Sequence, residues 1–576
     1  MPLPERTQLP TIHFGGGIFV SYIYRGFIFL ICFAFVFGLS TAAKASYIVK
    51  QELSTDGSMR ILEVMSSTRN LTAARRLRAL PSQIDEHSRS STKMFEEWLY
   101  PDFGSMPALA KSWLLNESRH RTQEAPLDAE LRKLVVQGQP ENRINLTILG
   151  DGYTEAEREI FFEDAQRITD DLFLEDTFAS YLPLFNVYAV FVASKDHGIT
   201  DVESKDTVFG LYRSPKGSKR AIMPGNSSQI RKALKLAPAT DFPIIIANDE
   251  YYGGLGGEFA ITTRSVESGP MVLRHELGHN FGDVGEEYDG GDVYTGANHS
   301  SNKNVSWMPW VKGELRVFDV KILAQAYVWQ KLLKNPFRQN IKFPAPDLNG
   351  FPYELDVDVS SVGWSASGEV RFTFDGENLP LEGRYTDDRS FFELNELNYP
   401  IPGNHQIDVE DLSEDGDNIL AYLKVAALGH GYIKDKNFIG AYPTFNSSGR
   451  LVGYRPTHDS CLMRNMRSKH FCAIDRENMW KRFLDRVELV DRISYDTQTR
   501  KIRLETPALP ALTIAWFRQT APDEYERIES AENLSEWKVA DKFAGHKLIA
   551  RVQLETDEVR SPTLRFKREA GLTIPE

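Results

Sequence analysis

Three residues, His275, Glu276 and His279, have the types and the spacing needed for metal-assisted hydrolysis. Two histidines four positions apart on a helix share one face, so both imidazoles can bind one Zn²⁺. Glu276 lies about 100° round the helix from His275, beside the ion rather than on it. From there its carboxylate can take a proton from a water on the ion and later deliver it to a leaving amine. The spacing therefore predicts a Zn²⁺ centre with Glu276 as general base.

The third ligand is expected among the acidic residues that follow this helix. Gly282 and Gly285 come after His279 at intervals of three, and glycines permit the turn that returns the chain to the ion. Carboxylates are accepted Zn²⁺ ligands, although Asp283 can equally serve as a hydrogen-bonding support for one. The candidates, in order of preference, are Glu286, Glu287 and Asp283.

Other side chains are expected to complete the site. Metzincins place a methionine in a tight turn beneath the ion, and Met463 is the candidate, with Met466 as the alternative. Tyr288 is the candidate for hydrogen bonding the oxyanion of the transition state, with Tyr454 as the alternative. The run at 253–257 contains four glycines, which suits a strand that binds extended substrate by close backbone pairing.

Hydrophobic patterning predicts the elements that position these residues. Strands are expected at 144–149, 185–193, 242–247 and 258–263. Helices are expected at 155–172, 229–236, from Ser268-Gly269-Pro270 onward, and at about 475–490. Alternating segments at 353–359, 369–374, 512–517, 547–554 and 563–567 indicate further strands, and a strand pair is expected at 47–53 and 59–64. These patterns predict a mixed α+β protein.

The N-terminus has the layout of a targeting segment. Arg25 precedes an apolar run from Gly26 to Leu39, and Ala43-Lys44-Ala45 fits a cleavage site. This order predicts a signal peptide, with an uncleaved membrane anchor as the alternative. In both cases the bulk of the chain is expected outside the cytosol.

Two further features agree with an extracellular location. Cys461 and Cys472 are an even pair closing a short loop, so a disulfide is expected in an oxidising compartment. Glycosylation motifs occur at Asn70, Asn116, Asn145, Asn226, Asn298, Asn304, Asn446 and Asn533, of which Asn145 is a poor acceptor because it falls in a predicted core strand. A formal net charge of -13 argues against general affinity for nucleic acid.

Several segments together resemble the IgA peptidase family of zinc metallopeptidases. The specific stretch runs from Arg274 to Gly291. Weaker ones are Leu149 to Thr154, Phe185 to Tyr188, the glycines at 253–257, and Cys461 to Cys472. The resemblance implies a metzincin-like catalytic domain in which His275 and His279 bind the ion, Glu276 is the base and the third ligand is acidic. Family members often read Asp-Glu-Tyr where this chain has Glu286-Glu287-Tyr288, which would make Glu286 the ligand. The third histidine of metzincins is replaced here by Gly285.

The resemblance and the patterning lead to one organisation of the chain. The expected regions are a signal peptide or anchor at 1–45, an N-terminal and partly disordered region at 46–135, a zincin-like metallopeptidase domain at 136–497 with a β-rich insertion at about 340–435, and a C-terminal β-sandwich-like domain at 498–576. The expected function is a secreted zinc endopeptidase acting on extended polypeptides. The alternatives are an inactive zincin-like extracellular binding protein and a zinc enzyme that cleaves a glycan or an ester.

Overall fold

The computed structural model describes most of the chain from Ser46 onward. The described residues are 46–53, 59–67, 75–81, 94–100, 102, 105–112, 127–174, 177–213, 220–290, 294–333, 335–394, 400–413 and 416–576. The predicted signal peptide or anchor at 1–45 lies outside these ranges. Within them, no helix has both the length and the apolar character required to cross a bilayer.

The N-terminal strands form a four-stranded antiparallel sheet. They are β1 (Ser46–Leu53), β2 (Met59–Ser67), β3 (Arg75–Pro81) and β4 (Met94–Tyr100), in the order β2-β1-β4-β3. Val49, Val64 and Tyr100 are buried against one another in its core. The predicted strand pair at 47–53 and 59–64 is confirmed.

A second sheet of six strands carries the predicted site. Its strands are β5 (Glu130–Val136), β6 (Ile144–Asp151), β7 (Phe185–Phe191), β10 (Phe242–Ala247), β11 (Gly254–Leu255) and β12 (Ala260–Thr263), and the hairpin β8 (Tyr212–Arg213) and β9 (Ile222–Met223) lies outside it. The spatial order is β11-β12-β10-β6-β7-β5. The four central strands are parallel, whereas β5 and β11 run antiparallel at the two edges.

Helices cover both faces of this sheet. They are α1 (Arg158–Leu172), α2 (Ser227–Leu234), α3 (Ser268–Gly282) and α4 (Ala473–Phe483). Ile144 and Ile148 of β6 point into the core shared with α1, α3 and α4, while Leu149 points to the opposite core, which contains α2. This burial on both faces explains why the neighbouring strand β10 is apolar along its whole length rather than alternating.

Local sequence determines where the helices begin. Thr154 and Glu157 form a capping box one turn before α1, with each side chain bonded to the other's backbone amide. The side chain of Asn226 accepts a hydrogen bond from the Gln229 amide and caps α2. The helix predicted at 475–490 is wrong in its extent, because α4 ends at Phe483 and the buried Leu484, Val487 and Leu489 enter the core from irregular chain.

Residues 320–428 form two packed antiparallel sheets. The strands are β13 (Val320–Ala326), β14 (Gln330–Lys331), β15 (Phe337–Phe343), β16 (Glu354–Val362), β17 (Val370–Phe374), β18 (Glu377–Asn378), β19 (Glu382–Gly383), β20 (Ser390–Glu393), β21 (Gly403–Asp411) and β22 (Ile419–Leu428). One sheet has the order β13-β22-β16-β20-β19 and the other β15-β21-β17-β18. Their shared core includes Trp364, Phe372 and Val425.

The remaining strands follow the sandwich. They are β23 (Tyr442–Phe445), β24 (Leu451–Arg455), β25 (Arg492–Asp496), β26 (Lys501–Glu505), β27 (Leu512–Ala521), β28 (Glu524–Arg527), β29 (Glu536–Lys538), β30 (Lys547–Leu554) and β31 (Lys567–Thr573). The last seven form two small sheets, with the orders β25-β26-β29 and β28-β27-β30-β31. The strand predicted at 563–567 is shifted, because Leu564–Phe566 is a 3-10 turn and β31 begins at Lys567. The mixed α+β class is confirmed.

Candidate metal centre

Helix α3 and the turn after it bring three donor side chains to one point. The His275 Nε2 and His279 Nε2 atoms are 3.2 Å apart. Glu286 places one carboxylate oxygen 3.3 Å from His275 Nε2 and the other 3.1 Å from His279 Nε2. All three side chains are buried. The four-residue spacing aligns the imidazoles, as predicted, and the chain returns through Gly285 to deliver Glu286.

The outer nitrogen of each imidazole is held by a backbone carbonyl. His279 Nδ1 lies 2.8 Å from the Val284 carbonyl oxygen, and His275 Nδ1 lies 3.3 Å from that of Leu462. Donation from Nδ1 leaves the lone pair on each Nε2 atom, which faces the third donor. Bonds of about 2.0–2.1 Å in a tetrahedral arrangement separate two ligand atoms by about 3.3–3.4 Å. The observed separations therefore fit a small tetrahedral cation such as Zn²⁺.

The two alternative third ligands lie elsewhere. Asp283 occupies the left-handed position at the end of α3, with φ 53, and its carboxylate pairs with Arg482 at 3.0 Å. Glu287 donates its backbone amide to the Met463 carbonyl at 3.1 Å, and its side chain enters a different buried cluster. Of the three acidic candidates, the structure brings only Glu286 to the histidines.

The charges of this cluster are strongly coupled. Burial alone would lower the pKa of His279, but the adjacent Glu286 carboxylate raises it to about 9. Burial alone would raise the pKa of Glu286, but His279 and His275 hold it below its usual value. The pocket therefore favours positive charge beside an ionised carboxylate, which is the charge distribution that a divalent cation would satisfy.

Glu276 is an acid–base group that interacts electrostatically with all three donors of the cluster. Its side chain is half-buried, and its Oε2 atom is buried without a hydrogen-bond partner. Burial raises the pKa of Glu276, although His275 and His279 oppose the shift. A Cβ atom on Gly256 would lie 2.1 Å from Glu276 Oε2, so only glycine leaves room for this carboxylate. The arrangement gives a carboxylate that can exchange protons on the substrate side of α3.

The methionine turn lies directly beneath α3. The Arg464 amide bonds the Cys461 carbonyl at 3.0 Å, which closes a tight turn around Leu462 and Met463. A Cβ atom on Gly278 would lie 2.7 Å from Met463 Sδ, so the sulfur packs against the middle of the helix. Met466, the alternative, instead packs against Tyr252, Met271 and Val272.

Of the two tyrosine candidates, Tyr288 is the one that reaches the cluster. Its ring centroid is 6.5 Å from that of His275, and the residue lines the same cleft as His275 and Glu276. Burial and the nearby Glu286 carboxylate raise the pKa of Tyr288, so its hydroxyl stays protonated and able to donate. Tyr454 lies in β24, where its backbone bridges Ser300, and its ring packs in the main core.

A cleft of about 190 Å³ opens beside the donor cluster. One wall consists of Gly254, Leu255 and Gly256 from the edge strand β11 and the residue after it, and the opposite wall includes Val359 and Ser360 of β16. Tyr327 and Arg389, also from the 320–428 sandwich, line the cleft. Sequence reasoning missed this second wall, because β16 is about 80 residues from α3 and carries no pattern that marks it as part of the site.

The predicted disulfide is absent from the structure, where Cys461 and Cys472 are both free and buried. The Cys461 thiol donates to Asp475 Oδ2 at 3.1 Å, and Cys472 Sγ accepts from the Asp475 amide at 3.5 Å. Cys472 is the N-cap of α4, so its side chain is committed to the start of that helix. The structure therefore does not contain the pairing expected from the short loop, and each sulfur contacts Asp475 instead.

With the geometry described, the comparison with known families can be stated. Residues 133–346 match the IgA Peptidase M64 family. The resemblance seen in the sequence is thereby confirmed for this part of the chain, and the match supports a peptidase of a generally metal-dependent kind. No curated protein matches the chain.

The matched region includes α3, Glu286 and the whole six-stranded sheet except the start of β5. It ends before the turn at 461–464, whose Leu462 carbonyl and Met463 side chain touch α3. Asp151 lies in another of the resembling segments, Leu149 to Thr154, and holds the chain rather than a ligand. Its buried carboxylate accepts the amides of Phe209 and Leu211 at 2.8 and 2.7 Å.

Proposed function

We propose that this protein is a zinc endopeptidase in which His275, His279 and Glu286 hold the ion and Glu276 is the general base. The observation that carries the proposal is the convergence of two imidazole nitrogens and a carboxylate within 3.3 Å of one another, at the floor of an open cleft. Such a donor set, with space left on one side, is the arrangement of catalytic rather than structural Zn²⁺ sites.

When bound, the ion would supply a Lewis acid that acidifies water and polarises the scissile carbonyl. The chain's own residues would do the rest. The unpartnered carboxylate of Glu276 would accept the proton of the attacking water and return it to the leaving amine. Tyr288, half-buried beside the donors and protonated, would donate a hydrogen bond to the oxygen that gains negative charge.

The substrate would lie along β11. This strand is the edge of the six-stranded sheet, runs antiparallel to β12 and leads to Gly256 beside Glu276. Gly254 already bridges Ala221, so pairing with an extended peptide would use Leu255 and Gly256. An antiparallel edge strand above a metal-binding helix, with the methionine turn beneath it, supports a zincin-like catalytic domain.

The test is the Glu276→Gln variant of the full chain, assayed on casein with and without a chelator. We expect hydrolysis to fall about 10²–10⁴-fold while bound Zn²⁺ is retained, because the amide cannot accept the proton. Glu267→Gln is the matched control, since Glu267 is an exposed carboxylate at the start of the same helix and pairs with Arg384. Unchanged proteolysis in Glu276→Gln would exclude Glu276 as the base.

The same assay separates the alternative functions. A wild-type protein that binds Zn²⁺ and polypeptide but hydrolyses nothing would support an inactive extracellular binding protein. Cleavage of ester or glycan substrates without cleavage of casein would support the other enzyme class. The unpartnered carboxylate beside the histidines favours the peptidase, since a binding protein has no chemical need for it.

We place the protein outside the cytosol, on the basis of the targeting pattern at 25–45. N-terminal sequencing of the mature chain tests this. A start near Ser46 would support cleavage of a signal peptide and secretion, and an intact N-terminus in the membrane fraction would support the anchor. An intact chain in the cytosolic fraction would overturn both.

A further inference from the structure

A second group of metal-binding side chains lies behind the first. Glu287, Cys461, Cys472 and Asp475 each offer one ligand atom, and these atoms all lie within 4.8 Å of one another. Their exposed fractions are 1%, 0%, 5% and 0%, so the group is sealed from solvent. None of the four lines the cleft beside His275, while Cys472 borders a separate cavity on another side of the fold.

The carboxylates of this group are not satisfied by protein donors. Neither side-chain oxygen of Glu287 has a hydrogen-bond partner, and Asp475 Oδ1 has none. The Cys461 thiol donates to Asp475 Oδ2 at 3.1 Å, and the Asn298 side chain lies near enough to Glu287 to lower the pKa of that carboxyl. Buried polar atoms without partners are rare in folded proteins, and three on two adjacent carboxylates call for a positively charged occupant.

The neighbouring arginines do not supply that charge directly. Arg464 donates to the backbone carbonyl of Glu287 at 3.2 Å and pairs its guanidinium with Asp289 at 2.8 Å. Arg455 donates to the backbone carbonyls of Pro443 and His458. Both guanidinium groups are near enough to offset part of the negative charge of the cluster, but their hydrogen bonds go to other acceptors.

We propose that Glu287, Cys461, Cys472 and Asp475 form a second, structural site for a thiophilic divalent cation, most simply Zn²⁺. Two sulfurs and two carboxylate oxygens complete a four-coordinate set with no open position, as structural Zn²⁺ sites require. Cys472 borders the separate cavity, so a cation would have a short way into the group from that side. This proposal concerns a different ion from the catalytic one and does not depend on the proposed function.

The second ion would position the first centre without touching substrate. Glu287 follows the proposed ligand Glu286 directly, and Cys461 precedes Leu462, whose carbonyl orients His275. Cys472 and Asp475 belong to the beginning of α4. One cation would therefore fasten the third-ligand loop, the methionine turn and a helix to a common point.

A disulfide between Cys461 and Cys472 is the main competing arrangement. It would remove the thiol hydrogen that Asp475 Oδ2 now accepts. Glu287 and Asp475 would then be two neighbouring buried carboxylates without the Cys461 thiol donor and without a cation to balance their charges. A cation instead uses all four groups in their ionised forms.

The experiment counts ions and thiols in the full mature chain. The protein is equilibrated with Zn²⁺, desalted, and analysed for Zn²⁺ by mass spectrometry and for thiols by a colorimetric reagent in denaturant, without reductant. We expect two ions per chain, with Cys461 and Cys472 both reactive, and one further thiol from Cys32 in a chain that keeps its N-terminal segment. Absence of the Cys461 and Cys472 thiols means that the chain contains the disulfide, and a chain that has both thiols but binds one ion has no second cation. Either result overturns the proposal.

Two variants locate the ions independently. The His275→Ala/His279→Ala double variant should retain the ion at the cysteines. The Cys461→Ser/Cys472→Ser double variant should retain the ion at the histidines. After exchange for Co²⁺, thiolate-to-metal charge-transfer absorption in the near ultraviolet should be present in the histidine variant. If the cysteine variant does not fold, the histidine variant alone decides, because loss of all metal from it means that no second site exists.

Failure of the proposed catalytic function would instead appear as a protein whose cysteine site is filled but which hydrolyses nothing.

Discussion

Glu286 and Glu287 are neighbours in the chain, yet their side chains enter two different buried clusters. Glu286 joins two histidines at the floor of an open cleft, whereas Glu287 joins two cysteines and an aspartate in a sealed space. The first cluster keeps an unpartnered carboxylate, Glu276, beside it. The comparison teaches that access and a nearby proton carrier, rather than ligand count, separate a centre suited to catalysis from one suited to holding the fold.

The sharpest way to break this comparison is to make the same substitution at the two neighbours. Glu286→Gln should reduce peptidase activity to that of chelator-treated protein, because it replaces an anionic donor with a neutral amide, and Zn²⁺ analysis should show loss of the ion at the histidines. Glu287→Gln should instead lower thermal stability and the second ion's occupancy. If both variants lose the same ion, the two clusters are not independent.

Tyr288→Phe asks whether the open centre also supplies a hydrogen bond to the transition state. We expect a fall in kcat of about 10²–10³-fold, the usual effect of removing one oxyanion donor, with KM and Zn²⁺ content nearly unchanged. Tyr454→Phe is the matched control, since Tyr454 packs in the core away from the cleft. A Tyr288→Phe enzyme with normal kcat would assign Tyr288 a purely structural role.

Gly256→Ala sharpens the role of the cleft wall. The added methyl group would meet Glu276 Oε2 at 2.1 Å, so the carboxylate must move. Displacements of about 1 Å can cost about 10²-fold in rate, and we expect a loss of that order in kcat/KM. The ion count and the melting temperature should change little. Full activity would show that Glu276 tolerates displacement and is not a closely positioned base.

Gly278→Ala is expected to have the smallest effect, a loss of stability, and it tests how α3 packs on the methionine turn. A Cβ atom there would lie 2.7 Å from both Met463 Sδ and Phe471 Cε1. Overpacking of this kind costs about 1–3 kcal/mol, which denaturant unfolding would measure. In a double-mutant cycle, Gly278→Ala should cost less in the Met463→Ala background than in the wild type, because the sulfur contact is gone while the Phe471 contact remains. Strictly additive effects would mean that Met463 does not pack beneath α3 as described.

The parts of the site that are local in sequence could be predicted. The positions of His275, Glu276 and His279 follow from helical periodicity, and the capping residue Thr154 marks the start of the first helical segment in the same local way. The third ligand could only be narrowed to three acidic residues. A turn of a few residues can point each of them towards the ion, and the choice depends on which side chain the surrounding core accepts.

The parts of the site that depend on segments distant in the chain could not be predicted from the sequence. The Leu462 carbonyl that orients His275 lies nearly 190 residues away, and the cleft wall from β16 lies about 80 residues away. The two cysteines were expected to form a disulfide because eleven positions separate them, but spacing carries no information about Asp475, which engages both sulfurs. Loop length constrains which pairs can meet and does not decide which partner each atom takes.

The sequence by itself determined the local chemistry of this protein: two imidazoles on one helix face, a carboxylate between them, and apolar strands that must be buried on both sides. The tertiary structure alone decided which carboxylate completes the first cluster, which wall closes the cleft, and that Glu287, Cys461, Cys472 and Asp475 meet at all. The physical reason is the distance along the chain over which each effect acts. Periodicity orients neighbours along a helix or strand, whereas contacts between remote segments are selected by the packing of the whole core.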